Sequence, residues 1–303
     1  MLAMLLALVV AAPAAEANGG ARSVSVAVYT KQAAPVEDLS PEEITVKEEG
    51  KKKAILGVER DHRPLDVALI VDSSAALGPL YRRDLVDAAL SFRDSLPEEA
   101  RLAVWTSGGA PSKIVDFGTD RETAERALKM VAAGGKNYTL DAIIDASRDL
   151  RGERAARRVL AIVTNTDVEG SRTLIQRTFK VVGHTRVTPM VVLIKVGGRP
   201  AQTWDSETLF EKMGEGYGGT YEEILTPMAA QKRLGRMALD LGSQYQVRYA
   251  SEADRPTFPE VEVDRKDIRV RGAEIGRHAA KPLGRRHGRE DLLVGPPVAL
   301  AHL

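Results

Sequence analysis

The 303-residue sequence contains no cysteine, which excludes disulfides, thiolate metal sites and thiol catalysis. Aromatic residues make up only 5% of the chain, so we expect no surface for stacking bases or sugars. The chain also has no large excess of positive or negative charge, because 42 Asp and Glu balance 43 Lys and Arg. This balance predicts no nucleic-acid partner and no attraction to an anionic membrane.

Long apolar runs are scarce as well. The run MLAMLLALVVAA at the start is too short to cross a bilayer of about 30 Å. Its length and the following Ala15-Glu16-Ala17 predict a signal peptide over residues 1–17, although no Lys or Arg precedes Arg22. A buried or disordered N-terminal segment is the alternative. With no cysteine to carry a lipid, we expect a secreted or periplasmic protein without a membrane anchor after cleavage.

Alternating apolar residues predict β-structure at both ends of the chain. SVSVAVY at 23–29 reads as a strand, and 22–62 as a β segment. A second β segment spans 243–276, beginning with QYQVRY at 244–249. Because short hairpins are marginal alone in water, we expect both segments to form one small β-sandwich. Residues 277–303 are predicted to be a flexible tail, and the sequence indicates no other basic part of the chain. Contact of this tail with an anionic polymer is the alternative.

The intervening residues 64–242 have a different pattern. Continuous apolar runs at 67–71, 159–163 and 190–194 predict strands that are covered on both faces. Segments with helical periodicity separate them, at about 82–96, 139–150, 171–182, 206–213 and 228–241. This alternation predicts an α/β fold with a doubly wound, mostly parallel sheet, inserted in the β-sandwich.

Three polar loops are candidates for a ligand site, because open α/β sheets bind ligands at the carboxyl ends of their strands. The first loop is DSSAA at 72–76, and the second is GGKNYTLDA at 134–142. The third is TNTD at 164–167. Together they resemble the metal-ion-dependent adhesion site (MIDAS) of von Willebrand factor type A domains. The flanking β segments are similar to the bacterial VWFA-related Acidobacterial group.

The resemblance implies a magnesium site built from a D-x-S-x-S loop, a Thr and a second Asp. Asp72 and Ser74 match this pattern, whereas Ala76 replaces the last Ser. Asn137 stands at the Thr position, and Asn165 at the second Asp. Mg²⁺ takes about six oxygen ligands and gives up its waters reluctantly, so this set predicts a degenerate site with weak Mg²⁺ binding and no other cofactor.

Four neighbours complete the expected binding rim at this edge: Ser73, Ala76, Thr139 and Asp167. Thr139 is a second candidate for the missing hydroxyl, and Asp167 for the missing carboxylate. A structural alternative is that Asp72 and Ser74 hydrogen-bond their own loop and cap a helix starting near Pro79.

The preferred hypothesis is an exported, non-enzymatic module that binds an unidentified protein partner at this rim. Mg²⁺-dependent adhesion to a carboxylate of the partner, through Asp72 and Ser74, is the alternative. A hydrolase on a doubly wound fold is a third hypothesis. None of the five histidines supports this hypothesis, and no G-x-S-x-G motif surrounds Ser73 and Ser74.

Overall fold

The computed structural model describes residues 20–32, 34–166, 170–195, 200–253 and 259–271. The predicted signal peptide at 1–17 and the predicted tail at 277–303 lie outside the described residues. In chain order the strands are β1 (Gly20–Thr30), β2 (Ile44–Glu48), β3 (Lys51–Lys53), β4 (Ile55–Arg60), β5 (Leu65–Val71), β6 (Ala100–Thr106), β7 (Ser112–Val115), β8 (Arg157–Asn165), β9 (Thr188–Ile194), β10 (Thr220–Ile224), β11 (Gln244–Ser251), β12 (Glu260–Val263) and β13 (Ile268–Arg271).

The helices lie mainly between the strands of the inserted unit. They are α1 (Gly78–Leu80), α2 (Val86–Ser95), α3 (Arg121–Met130), α4 (Thr139–Gly152), α5 (Ile175–Thr185), α6 (Pro200–Gly216) and α7 (Ala230–Gly242). A π-helical turn at Tyr81–Leu85 joins α1 to α2, and short 3-10 turns lie at Pro41–Glu43 and Pro227–Ala229.

A six-stranded sheet forms the centre of the inserted unit, in the order β10-β9-β8-β5-β6-β7. Neighbouring strands run parallel except β6 and β7, which are antiparallel. Strand β5 is buried along its whole length, as expected for a parallel strand covered on both faces. The prediction of a doubly wound, mostly parallel sheet is confirmed.

Helices cover both faces of this sheet, and alternate residues of each strand enter opposite cores. Val67 and Leu69 of β5 pack with α2, α3 and α7 on one face. Ala68 and Ile70 pack with α4 and α6 on the other. Full burial of one such Val, Leu or Ile contributes about 1.5–3 kcal/mol. Packing on both faces therefore fixes the positions of the strand ends, where the polar loops begin.

Strands from the two ends of the chain form two antiparallel sheets, ordered β13-β1-β11-β4 and β12-β2-β3. Strands β1 and β11 pair from Gly20 opposite Ser251 to Ala27 opposite Gln244. Both sheets contribute to one apolar core, which includes Val26, Val28, Ile44, Val46, Tyr245, Val247 and Val261. The α/β unit is thus inserted between β4 and β11 of a small β-sandwich, as the alternating patterns predict.

Several element bounds differ from the prediction. Helix α5 begins at Ile175 rather than at 171, and it ends before Arg186, which has a left-handed φ of 56°. Strand β10 was not predicted, because only Ile224 of this edge strand is buried and two glutamates interrupt its apolar pattern. Helix α6 extends beyond the predicted 206–213 in both directions.

An ion-pair cluster holds the inserted unit against the sandwich. Arg63 donates to both carboxylate oxygens of Asp61, at 2.8 and 2.6 Å. The buried Arg157 lies 3.7 Å from Asp61 and donates to the carbonyl of Leu241. Burial alone would raise the pKa of Asp61, but the hydrogen bond from Arg63 and the charge of Arg157 hold that pKa below its usual value.

We expect Asp61→Asn to lower the free energy of unfolding at pH 7 by about 3 kcal/mol, because it removes one partner of a buried ion pair. A carboxyl whose pKa is lower in the folded state adds stability above its unfolded pKa, and that stability is lost as the pH falls through the folded value. The difference from wild type should therefore shrink below about pH 4. Urea unfolding from pH 7 to pH 3 measures it.

The matched control is Asp87→Asn, on the exposed side of α2. We expect this variant to follow the wild type at every pH. An Asp61→Asn effect that stays constant across the acidic range would contradict the assignment of Asp61 as the ionised partner at this junction.

Candidate functional site

The three predicted loops converge at the carboxyl edge of the central sheet. Asp72 directly follows β5, and Asn165 is the last residue of the neighbouring β8. Asn137 lies in the loop before α4. Its backbone forms an isolated antiparallel β-bridge with Gly108, which lies just beyond the end of β6. Parallel packing of these strands therefore places one carboxylate and two amides next to each other.

Asp72 is fully buried and accepts hydrogen bonds at both carboxylate oxygens. Its Oδ1 accepts from the backbone N–H of Ser74 at 2.8 Å. Its Oδ2 accepts from Asn137 Nδ2 at 2.9 Å, from the backbone and side-chain N–H groups of Asn165, and from Thr164 Oγ1 at 3.3 Å. The carboxylate is therefore surrounded by neutral donors from three loops.

The orientation of the Asn137 amide follows from its other partners. Its Oδ1 accepts from the hydroxyls of Ser107 and Thr139, at 2.9 and 2.6 Å. Its Nδ2 consequently faces Asp72 and Thr164 Oγ1, the latter at 3.0 Å. Rotating the amide by 180° would set its oxygen against the carboxylate, so the hydrogen-bond network allows one orientation.

Asn165 connects Asp72 and Ser74, the two of the four predicted metal ligands that match the D-x-S-x-S pattern. Its Nδ2 donates both to Asp72 Oδ2 and, at 3.2 Å, to Ser74 Oγ. Asn165 and Ser74 are each 2% exposed, so this bridge is closed to solvent. The amide nitrogen thus lies between the carboxylate and the hydroxyl.

The electrostatics of the site depend on burial. Desolvation raises the pKa of the Asp72 carboxyl, while hydrogen bonds from Ser74, Asn165 and Thr164 oppose that increase. No Lys or Arg of the described residues forms an ion pair with Asp72. Amide and hydroxyl dipoles, rather than a positive side chain, therefore solvate this acid.

The remaining predicted rim residues differ in their exposure. Ser73 and Thr139 are buried, and Ser73 Oγ accepts from the backbone N–H of Gly108 at 3.0 Å. Ala76 is partly exposed, whereas Asp167 lies outside the described residues. The predicted loop hydrogen bonding by Asp72 is present. The predicted helix cap is wrong, because α1 has Leu77 at its N-cap and no side-chain cap.

Two hydroxyl residues of the network, Ser107 and Thr164, were missed as site residues. Ser107 follows β6, so the rule that ligand groups collect at strand ends could have found it. Gly108 beside it has a steric role, since a Cβ on Gly108 would lie 2.2 Å from the carbonyl oxygen of Ser73. Only glycine lets these two loops approach so closely.

Two features of the donor set bear on whether it could hold a magnesium ion. Within the described part of the chain, no group of three His, Cys, Asp or Glu side chains could hold a metal. The amide N–H groups of Asn137 and Asn165 also point at Asp72 Oδ2. A cation needs lone pairs at that position, and N–H groups offer none.

No protein-family model matches the sequence, and a search of curated proteins gave no match. Solved structures do match. A von Willebrand factor type A structure from Catenulispora acidiphila aligns with a TM-score of 0.50 at 10% identity, over 84% of this chain and 73% of that one. The chain has a von Willebrand factor type A fold. The resemblance predicted from the three loops is thus confirmed for the fold, while the closer resemblance to the Acidobacterial group stays a prediction.

A second match is proximal thread matrix protein 1 of the mussel byssus, with a TM-score of 0.50 at 11% identity over 64% of this chain. Another structure of that protein has a zinc-occupied MIDAS motif and aligns with the same TM-score at 10% identity. This chain spans about half the length of the byssus protein, 51% and 50% in the two structures. Identities this low show the von Willebrand factor type A fold and nothing finer.

We expect Asn137→Ala to lower the free energy of unfolding by about 3 kcal/mol, because it removes three buried hydrogen bonds, one to Asp72 and one each from Ser107 and Thr139. Urea denaturation followed by circular dichroism measures the change. The control is Gln231→Ala, at an exposed position of α7, with an expected change within about 0.5 kcal/mol. Equal effects of the two substitutions would show that the amide does not support the site.

Proposed function

We propose that this chain is an exported, non-enzymatic module that binds a protein partner through a degenerate, metal-independent MIDAS. The observation that carries the proposal is the Asn165 amide, which donates to both Asp72 and Ser74. In the byssus protein named above, zinc occupies the motif. Here the hydrogen bonds of Asn137 and Asn165 take over the role of a cation, which is to stabilise the buried carboxylate.

The partner would contact the backbone loops above this network. Ala75, Gly109, Gly135 and Lys136 are exposed there. From here on we call these four residues the rim, in place of the set predicted from the sequence, of which Ser73 and Thr139 are buried. Two hydrogen bonds join them, from Ala75 N to Gly135 O and from Gly109 N to Lys136 O, both at 2.9 Å. A surface of small residues held by backbone hydrogen bonds is rigid, so ordering it on binding costs little entropy.

The burial of Asp72 and Ser74 argues against both Mg²⁺-dependent adhesion and hydrolysis at this edge of the sheet. A carboxylate from a partner, or a substrate, would have to reach Asp72 and Ser74, which are 0% and 2% exposed. The described histidines, His62 and His184, lie at other places, His62 beside Glu99 and His184 on α5. Neither Mg²⁺-dependent adhesion nor hydrolysis therefore receives support from the geometry.

Export rests on the sequence of residues 1–17, with its apolar run and Ala15-Glu16-Ala17. Among the helices of the described residues, none has the length and apolar character to cross a membrane. The N-terminal sequence is the ground on which we propose secretion or a periplasmic location.

We expect no change in the melting temperature of the wild type between EDTA and millimolar Mg²⁺, because its amides oppose a cation. The variant Ala76→Ser/Asn137→Thr/Asn165→Asp restores the hydroxyls and the second carboxylate. Its melting temperature should rise in Mg²⁺ by about 5 °C, as binding at roughly 100 times Kd adds about 2.7 kcal/mol. Differential scanning calorimetry measures both proteins, and a Mg²⁺-dependent rise in the wild type would contradict the proposal.

The binding proposal predicts capture of a partner from the native periplasm or culture medium, equally in EDTA and in Mg²⁺. Ala75→Arg should abolish that capture by placing a long charged side chain on the rim. Ala54→Arg, at another exposed alanine, between β3 and β4 of the sandwich, should retain it. Quantitative mass spectrometry of the captured proteins is the readout. Elution by EDTA, or equal capture by both variants, would overturn the assignment of the rim.

A further inference from the structure

A basic groove lies between α4 and α5, away from the rim. It encloses about 540 Å³ and is lined by Arg148 and Arg151 of α4 and by Arg177, Lys180 and His184 of α5. All five side chains are exposed. Two neighbouring helices therefore place four permanent positive charges, and one histidine, around a single concave surface.

These charges are poorly compensated by the protein. Arg151, Arg177 and Lys180 form no side-chain hydrogen bond or ion pair with other residues of the described chain. Arg148 approaches Asp145 at 3.8 Å, and the nearby Asp149 is bound by Lys113 at 3.2 Å. Because the whole chain has a net charge of only +1, the groove concentrates positive charge that the composition does not reveal.

Two further arginines follow α4 and α5 in the chain, beside a second cavity that Asp240 also lines. Arg158 and Arg186 line this cavity of about 180 Å³, between the inserted unit and the sandwich. Their side chains also form no ion pair with other described residues. Helix α5 alone, with 11 residues, is about 16 Å long. The surface is therefore suited to an extended ligand with several negative charges rather than to a single small anion.

The floor of the groove is apolar in character. Val181 is half-buried there, and the buried Thr185 donates its hydroxyl hydrogen to the carbonyls of Val181 and Val182, at 2.9 and 3.1 Å. The rings of Phe179 on α5 and Tyr217 stack on each other, with centroids 6.1 Å apart, and both residues are partly buried. Apolar side chains can pack on this floor, whereas the described residues that line it include no Phe, Tyr or Trp ring on which bases could stack.

We propose that the α4–α5 groove binds an acidic segment of a partner protein. Aspartate and glutamate of that segment pair with the arginines and Lys180 on the walls, and its apolar side chains pack over Val181. Arginine suits this role, because its planar guanidinium matches a carboxylate with two parallel hydrogen bonds. A groove with charged walls and an apolar floor recognises an amphipathic segment of opposite charge.

The test uses the full chain and a fluorescein-labelled peptide of about 12 residues, in which glutamates alternate with leucines. Fluorescence anisotropy at low and physiological salt gives Kd. We expect Arg177→Glu/Lys180→Glu to weaken binding at least about tenfold. The matched control is Lys51→Glu/Lys52→Glu, which makes the same charge change at exposed positions of β3 and should keep Kd within about twofold.

Two competitors separate this proposal from other polyanions. A single-stranded oligonucleotide and a polyphosphate, each with the charge of the peptide, should compete at least about tenfold less well than the unlabelled peptide. Absence of peptide binding, equal losses in the two double variants, or tighter binding of either competitor would each overturn the proposal. Circular dichroism verifies that both variants are folded.

Discussion

Burial of the Asp72 carboxylate is the constraint on which the candidate site depends. An ionised group removed from water costs several kcal/mol unless polar groups surround it. Donors from the loops after β5 and before α4, and from the end of β8, converge on its two oxygens. The carboxylate therefore ties the three loops together at the edge where von Willebrand factor type A domains have their adhesion site.

The same constraint explains why amides stand where the family pattern has a hydroxyl and a second acid. A second buried carboxylate would repel the first unless a cation lay between them. Asn165 avoids that repulsion, since its side chain donates to Asp72 and Ser74 at once. Asn137 adds a donor whose orientation is fixed by Ser107 and Thr139. The loops thereby keep a defined arrangement, and they support the rim at which we propose that a partner binds.

Much of this could be predicted from the sequence, because the apolar runs of β5, β8 and β9 determine where the polar strand ends fall. The convergence of Asp72, Asn137 and Asn165 follows from that pattern. The directions of the amides do not, since that of Asn137 depends on the hydroxyls of Ser107 and Thr139. The basic groove was missed for a similar reason: Arg151 and Arg177 are distant in the sequence, and they meet only when α4 and α5 pack together. Strand β10 was missed because it lies at the edge of the sheet, where only one of its residues is buried, so its sequence shows no run of apolar residues.

The central claim is that amide hydrogen bonds replace a cation at Asp72. The most direct measurement is NMR of the side-chain NH₂ groups of Asn137 and Asn165 in ¹⁵N-labelled protein, with hydrogen exchange followed in EDTA and in millimolar Mg²⁺. The account predicts slowly exchanging NH₂ signals for both residues, with chemical shifts that Mg²⁺ leaves unchanged. Rapid exchange in EDTA, or a saturable shift of these signals on addition of Mg²⁺, would contradict it.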